Sequence, residues 1–105
     1  MTIWRFIHIF IRMTFEWDER KNARNMEKHH VSFETAQMAF FDKHRVILED
    51  EKHSREEERF FCVGDDGKGV VTVRFTVRGE NIRIIGAGYW REGKHEYDRR
   101  KSGLR

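Results

Sequence analysis

The sequence predicts an α+β domain: an antiparallel sheet preceded by two helices, followed by one more, with the helices gathered on one side. Three observations carry that expectation. Val70 to Trp90 holds two β-type runs that meet across a turn, residues suited to helix capping stand at Asp18 and Ser32, and a short basic segment, Lys94 to Lys101, follows the last strand. Strands and helices that fall in separate blocks, rather than alternating, are the signature of this class.

In the central hairpin Val71, Val73, Phe75 and Val77 alternate with Thr72, Arg74 and Thr76, the period of a strand with one buried face. Gly79-Glu80 places glycine first in a two-residue turn, as a type II′ hairpin requires. With that loop Arg78 opposes Asn81, Thr76 opposes Arg83 and Arg74 opposes Ile85. Directly opposed side chains share a face. Arg74, Arg78 and Arg83 are therefore expected together on one face of the sheet, with the valines and Phe75 on the other.

Before the hairpin, Phe15-Glu16-Trp17 predicts a short strand, and Asp18 caps a helix from Glu19 to about His29. Lys21, Arg24, Asn25 and Lys28 fall on one stripe of that helix, opposite Ala23 and Met26, the pair expected to face the core. Ser32 caps a second helix over Phe33 to Phe41, whose Phe33, Ala36 and Phe40 point inward. Val46-Ile47-Leu48 and Phe60 to Val63 predict strands, separated by a loop too charged to bury. Gly64 to Gly67 predicts the next turn. Gly86-Ala87-Gly88 permits close approach to the backbone, by a packed helix or a ligand. The final helix is anchored by Tyr97, with Gly103 beyond its end.

The chain has 105 residues, enough for one core. Its 21 Lys+Arg against 18 Asp+Glu give a net charge of +3, so distribution matters more than total. Glu49 to Glu58 is acidic, while the first helix, the hairpin face and Arg99 to Lys101 are basic, a patchiness that suits a polyanion partner. The bland alternative is a solvated charged surface. A single cysteine, Cys62, allows no internal disulfide and fits a reducing compartment, the cytoplasm. Between aromatic and aliphatic neighbours it is expected to be a small buried residue. No apolar run reaches the roughly 18 residues of a membrane span. The six histidines offer no ligand spacing, and neither a metal nor another cofactor is expected. Residues 1–12 are either an extra strand or an extension produced by an upstream start codon; the latter is expected, with a single domain over residues 13–105.

Phe15-Glu16-Trp17-Asp18-Glu19-Arg20-Lys21, then Asn25, Lys28-His29 and Val31-Ser32-Phe33-Glu34-Thr35-Ala36, resemble the opening of the BrnT family, F-x-W-D-x-x-K-x-x-x-N-x-x-K-H-G-V-S-F-x-x-A. His30 replaces the usual glycine. Glu57-Glu58-Arg59-Phe60, Gly64, Thr76, Arg78-Gly79, Ile82 to Ile85 and Ala87 look like its second half. The resemblance implies a RelE-like fold and the toxin of a type II toxin–antitoxin module. It further implies a metal-independent endoribonuclease that stops translation and is neutralised by a BrnA-like antitoxin. Operator DNA would be engaged indirectly, through that antitoxin. On this footing Arg83 and Arg78 neutralise the scissile phosphate, and Lys21, Arg24, Lys28 and Arg74 hold the RNA. His29 or Tyr97 would move a proton.

Two departures bear on this assignment. Many members read I-I-S-A-R where this chain has Ile84-Ile85-Gly86-Ala87-Gly88, and a later glutamate is Gly93 here. Arg91 is the candidate replacement for the missing strand arginine. The alternative reading is a catalytically inactive or altered family member that binds an antitoxin or nucleic acid through the same charges. A small-molecule enzyme with its ligand at Gly86 to Gly88 ranks last, because no acid–base pair presents itself there.

Overall fold

The computed structural model describes residues 14–103, and the extension expected over residues 1–12 lies outside them. The elements are β1 (Thr14–Glu16), α1 (Glu19–His29), α2 (Phe33–Ala36) running on into a 3-10 segment (Gln37–Phe41), β2 (Val46–Glu49), a 3-10 turn (Glu51–His53), β3 (Arg59–Asp65), β4 (Val70–Arg78), β5 (Asn81–Gly88) and α3 (Arg91–Gly103). The five strands lie in the order β1-β5-β4-β3-β2. β1 runs parallel to β5, so the sheet is mixed where an antiparallel one was expected.

The caps fall where the sequence places them. Asp18 accepts from the Arg20 and Lys21 amides, and Ser32 accepts from Thr35. The second helix is corrected: only its first turn is α-helical, and the rest tightens to 3-10. Gly79 has φ of 62° and Glu80 is not left-handed, the backbone of a type II′ turn. The turn expected at Gly64 to Gly67 sits two residues later, because β3 continues to Asp65 and the Asp66 amide bonds the Gly69 carbonyl. α3 begins at Arg91 and includes Gly103.

Val73, Phe75, Phe60, Cys62, Ile82 and Ile84 form one face of the sheet and pack on Phe33, Ala36 and Phe40. Burial pushes the Cys62 thiol upward, consistent with a core residue. The opposite face carries a second, smaller core of Val46, Val63 and Tyr97 beneath α3. The helices therefore occupy both faces, which corrects the one-sided arrangement. The alternating pattern of β3 explains it: Val63 points away from Cys62, and α3 covers it.

α1 also docks by an unexpected face. Ala23 and Met26 are exposed, while Asn22 and Asn25 are buried. Asn22 accepts from the Phe33 amide and donates to Glu19 and Glu34. Asn25 donates to the Val31 and Ala87 carbonyls and accepts from the Ala87 amide. β1 pairs only with Asn81 to Arg83, so it does not reach Ala87. There the Asn25 amide bonds the strand edge as a neighbouring peptide would.

Asn25→Ala is expected to destabilise the fold by roughly 3 kcal/mol, since three backbone groups lose their partner. Urea denaturation measures it, and a loss below about 1 kcal/mol would show that the clamp is dispensable. His30 closes α1 in the left-handed conformation, at φ 62°. His30→Gly removes that strain and should raise stability by about 0.5–1 kcal/mol. An unchanged or lower melting temperature would contradict this assignment of strain.

Candidate functional site

The strand register builds the site on the sheet face that α3 leaves open. Arg59 on β3 opposes Thr76 on β4, Thr76 opposes Arg83 on β5, and Arg83 opposes Glu16 on β1. One row away Arg78 opposes Asn81, and on the other side Phe61 opposes Arg74. Arg74 faces Gly86 rather than Ile85, because the ladder slips between Arg74 and Phe75. The slip leaves parity on β4 intact, so Arg74, Arg78 and Arg83 share the outer face as expected.

Arg59 joins them and was missed. Extending the Phe61, Val63 alternation back by one step places it on this face, a signal hidden by the charged stretch before it.

Each guanidinium meets a carboxylate. Arg83 donates to Glu16 at 2.8 Å, and that hydrogen bond holds the Glu16 carboxyl below its ordinary range. Arg74 Nε lies 3.3 Å from Asp50, an ion pair whose alignment falls short of a hydrogen bond. Arg78 and Arg59 both approach Glu57, at 3.6 and 3.8 Å. Four arginines thus meet three carboxylates, so the face is a set of oriented ion pairs with a small positive excess. Arg59 and Arg78 line a hollow of about 770 Å³ with the loop from Lys52 to Glu57.

Arg74 also lines a second cleft of about 610 Å³, with Phe61 and with Trp90 and Arg91 at the start of α3. Its guanidinium lies 5.8 Å over the Phe61 ring. The structure therefore brings Arg74 and Arg91 to one cleft and Arg78 to the neighbouring hollow, with Arg83 in the adjoining row. His29 packs edge-on to Trp90, ring centroids 5.2 Å apart, outside the arginine rows. Lys21, Arg24 and Lys28 are exposed on α1, which packs beside β5 and α2. Tyr97 is 5% exposed and its hydroxyl donates to Asp42, so it anchors α3 from inside. Burial and that carboxylate push the phenol upward, away from proton transfer.

Among the described residues no group of three His, Cys, Asp or Glu side chains is placed to hold a metal ion. No helix among them is long and apolar enough to cross a membrane.

A family model described as the ribonuclease toxin BrnT of type II toxin–antitoxin systems matches residues 17–94. The chain belongs to the BrnT family. No curated protein matches it closely enough to serve as a relative. Membership makes it a toxin of the ribonuclease kind and implies an antitoxin partner.

The structure accounts for both departures from the usual BrnT pattern. A Cβ at Gly88 would lie 2.6 to 2.9 Å from the Trp90 indole, so Trp90 fills the space over that strand position. A Cβ at Gly93 would lie 1.9 Å from Thr72 Oγ1, so α3 reaches this close to the sheet only with glycine there. Thr72 Oγ1 is buried without a hydrogen-bond partner.

Gly93→Ala should destabilise the protein by roughly 2 kcal/mol, and Thr72→Ala in the same chain should recover most of that loss. Additive losses in the double variant would mean that the two residues are not in contact as described.

Proposed function

We propose that this BrnT protein is an endoribonuclease whose active site is the outer sheet face, and that it cuts RNA without a metal ion. The observation that supports this most is the set of four arginines, Arg59, Arg74, Arg78 and Arg83, in neighbouring positions on one sheet face, with Arg59 and Arg78 lining the hollow beside β3 and β4.

Cleavage of this kind uses the RNA 2′-hydroxyl as nucleophile. Oxygen O2′ bonds to the adjacent phosphorus, the bond from phosphorus to O5′ breaks, and a 2′,3′-cyclic phosphate and a 5′-hydroxyl result. Negative charge grows on the phosphorane oxygens along the way. Arginine stabilises it through charge-assisted hydrogen bonds, and a guanidinium already oriented by a carboxylate needs little reorganisation. In this reading Arg78 and Arg83 contact the scissile phosphate. Arg74 and Arg91 receive a neighbouring nucleotide in the cleft walled by Phe61 and Trp90, where a base can stack. Lys21, Arg24 and Lys28 extend the contact to the backbone of a longer strand.

Cleavage of messenger RNA would halt translation, and a BrnA-like antitoxin would neutralise the toxin and carry operator binding for the pair. The cytoplasm is the corresponding site of action. The competing reading, a binding module that docks an antitoxin or nucleic acid without cutting, uses the same charges. Salt dependence therefore does not separate the two.

Induced expression alone and with the antitoxin, following growth and RNA integrity, separates them. Growth arrest with RNA cleavage, both cancelled by the antitoxin, is the expected result. Arg78→Ala and Arg83→Ala should each slow cleavage by about a hundredfold while antitoxin binding persists. Intact RNA and normal growth with abundant folded protein would sink the enzyme reading and leave the binding module.

A further inference from the structure

The arginines provide charge stabilisation, yet the reaction also needs a group to take the 2′-hydroxyl proton. Neither His29, packed on Trp90, nor Tyr97, committed to Asp42, stands among them. A third candidate does. His53 Nδ1 lies 3.0 and 3.1 Å from the two carboxylate oxygens of Asp50. Asp50 is itself 5% exposed and is the residue that pairs with Arg74. His53 keeps 46% of its side chain open and lines the same hollow as Arg59 and Arg78.

We infer that His53 is the general base of this ribonuclease and that Asp50 positions it, an inference that rests on the endoribonuclease reading. With its Nδ1 proton shared with Asp50, the imidazole leaves Nε2 as the acceptor. It is the arrangement in which a buried carboxylate fixes both tautomer and ring direction.

The segment is built to hold this geometry. The Asp50 amide donates to the Arg59 carbonyl, which ties the loop to the first residue of β3. Ser54 Oγ donates to the Asp50 carbonyl at 2.7 Å and accepts from the Arg59 amide at 3.0 Å, closing the turn across its mouth. The His53 amide bonds the Asp50 carbonyl within it. A surface His–Asp pair three residues apart is ordinary. One whose carboxylate is buried, shared with a sheet-face arginine and locked to the adjoining strand is not.

The step balances with water as the proton donor to the leaving group. Nε2 takes the proton from the 2′-hydroxyl as O2′ bonds to phosphorus. The P–O5′ bond breaks, the leaving oxygen takes a proton from water, and the hydroxide so formed recovers the proton from the imidazolium. Arg78, which lines the same hollow, and Arg83 in the adjoining row meet the phosphorane oxygens, with Arg59 beside them.

Charged groups from three elements surround His53. Lys52, Arg55, Glu56 and Glu57 flank it from its own loop, Arg59 comes from β3 and Arg78 from β4, and Arg74 stands behind Asp50.

The test measures cleavage of a defined oligoribonucleotide by the full chain across pH, with product ends identified. Wild type should give 2′,3′-cyclic phosphate and 5′-hydroxyl ends, with a rate that falls in acid as one group protonates. His53→Gln should lose roughly a hundredfold or more in kcat with little change in KM, and should lose that acid limb. His53→Ala should be partly restored by added imidazole, an effect that a structural role would not produce. Asp50→Asn should retain part of the activity and lose it in kcat rather than KM, because the amide still reaches Nδ1 but no longer fixes the tautomer. Thermal unfolding and antitoxin binding confirm that each variant is folded.

Full activity of folded His53→Gln, or an unchanged acid limb in it, would overturn the inference while leaving the ribonuclease reading in place. Absence of cleavage by wild type would overturn both.

Discussion

The position of α1, and with it much of the N-terminal half, depends on the amide of Asn25. Beyond Arg83 no strand among the described residues lies beside the edge of β5, and an open edge leaves peptide groups exposed to chance pairing. Asn25 closes it with one side chain, pairing both polar groups of Ala87 and the Val31 carbonyl as well. One residue therefore fixes helix, strand edge and the entry to α2. Asn22, one turn earlier, binds the first amide of α2 and the side chains of Glu19 and Glu34. An apolar stripe would bury more surface but would leave those backbone groups unsatisfied. At roughly 1–3 kcal/mol for each buried unpaired group, satisfaction outweighs the small area that Ala23 and Met26 offer.

Carboxylates play the corresponding role on the outer face. Cations on adjacent strands repel, and four arginines in neighbouring rows would strain the sheet on which they stand. Glu16, Glu57 and Asp50 offset that repulsion, each from outside the central β4–β5 hairpin. These pairs are partly exposed, so each contributes little stability by itself. Their effect is orientation: guanidiniums tethered at one end keep the rest of their donors in fixed directions on the outer face. On the proposed reading a phosphate would meet a rigid set of donors, which is the condition for electrostatic catalysis rather than loose attraction.

Much of this was legible because local chemistry decided it. The two N-caps, the II′ turn and the shared face of Arg74, Arg78 and Arg83 follow from residue type and spacing, and the structure keeps them. The misses share one cause: a distant partner overrode the local pattern. Periodicity counts asparagine as polar and turns it to solvent, whereas Asn25 was bound to a strand 62 residues away. A three-residue strand carries no sign of its direction, so the parallel pairing of β1 could not be read. The slip beside Phe75 is likewise invisible to alternation: unbroken pairing would set Ala87 opposite Thr72 on the outer face, whereas the slip sets it opposite Val73 in the core. In the site, Arg59 and His53 lay in a stretch whose charge reads as loop. Their roles come from the turn that Ser54 closes, which only the folded chain reveals.

The same turn links architecture to chemistry. Asp50 is held to β3 through its backbone and to Arg74 and His53 through its carboxylate, so one buried charge sets both a cation and an imidazole. Arg74 in turn lies over Phe61 and lines the cleft under α3. α3 approaches because Gly93 admits Thr72, and Trp90 folds over Gly88 to wall the cleft. The departures from the usual family pattern thus alter the far wall of the cleft, while Arg59, Thr76 and Arg83 stand in another row of the sheet and the Asp50–His53 pair on another element. A change that reshapes where a neighbouring nucleotide rests, yet spares the groups that meet the phosphate, alters which RNA is accepted before it abolishes cutting. On the proposed reading, specificity and turnover are therefore separable, because their groups stand in different rows of the sheet and meet at Arg74.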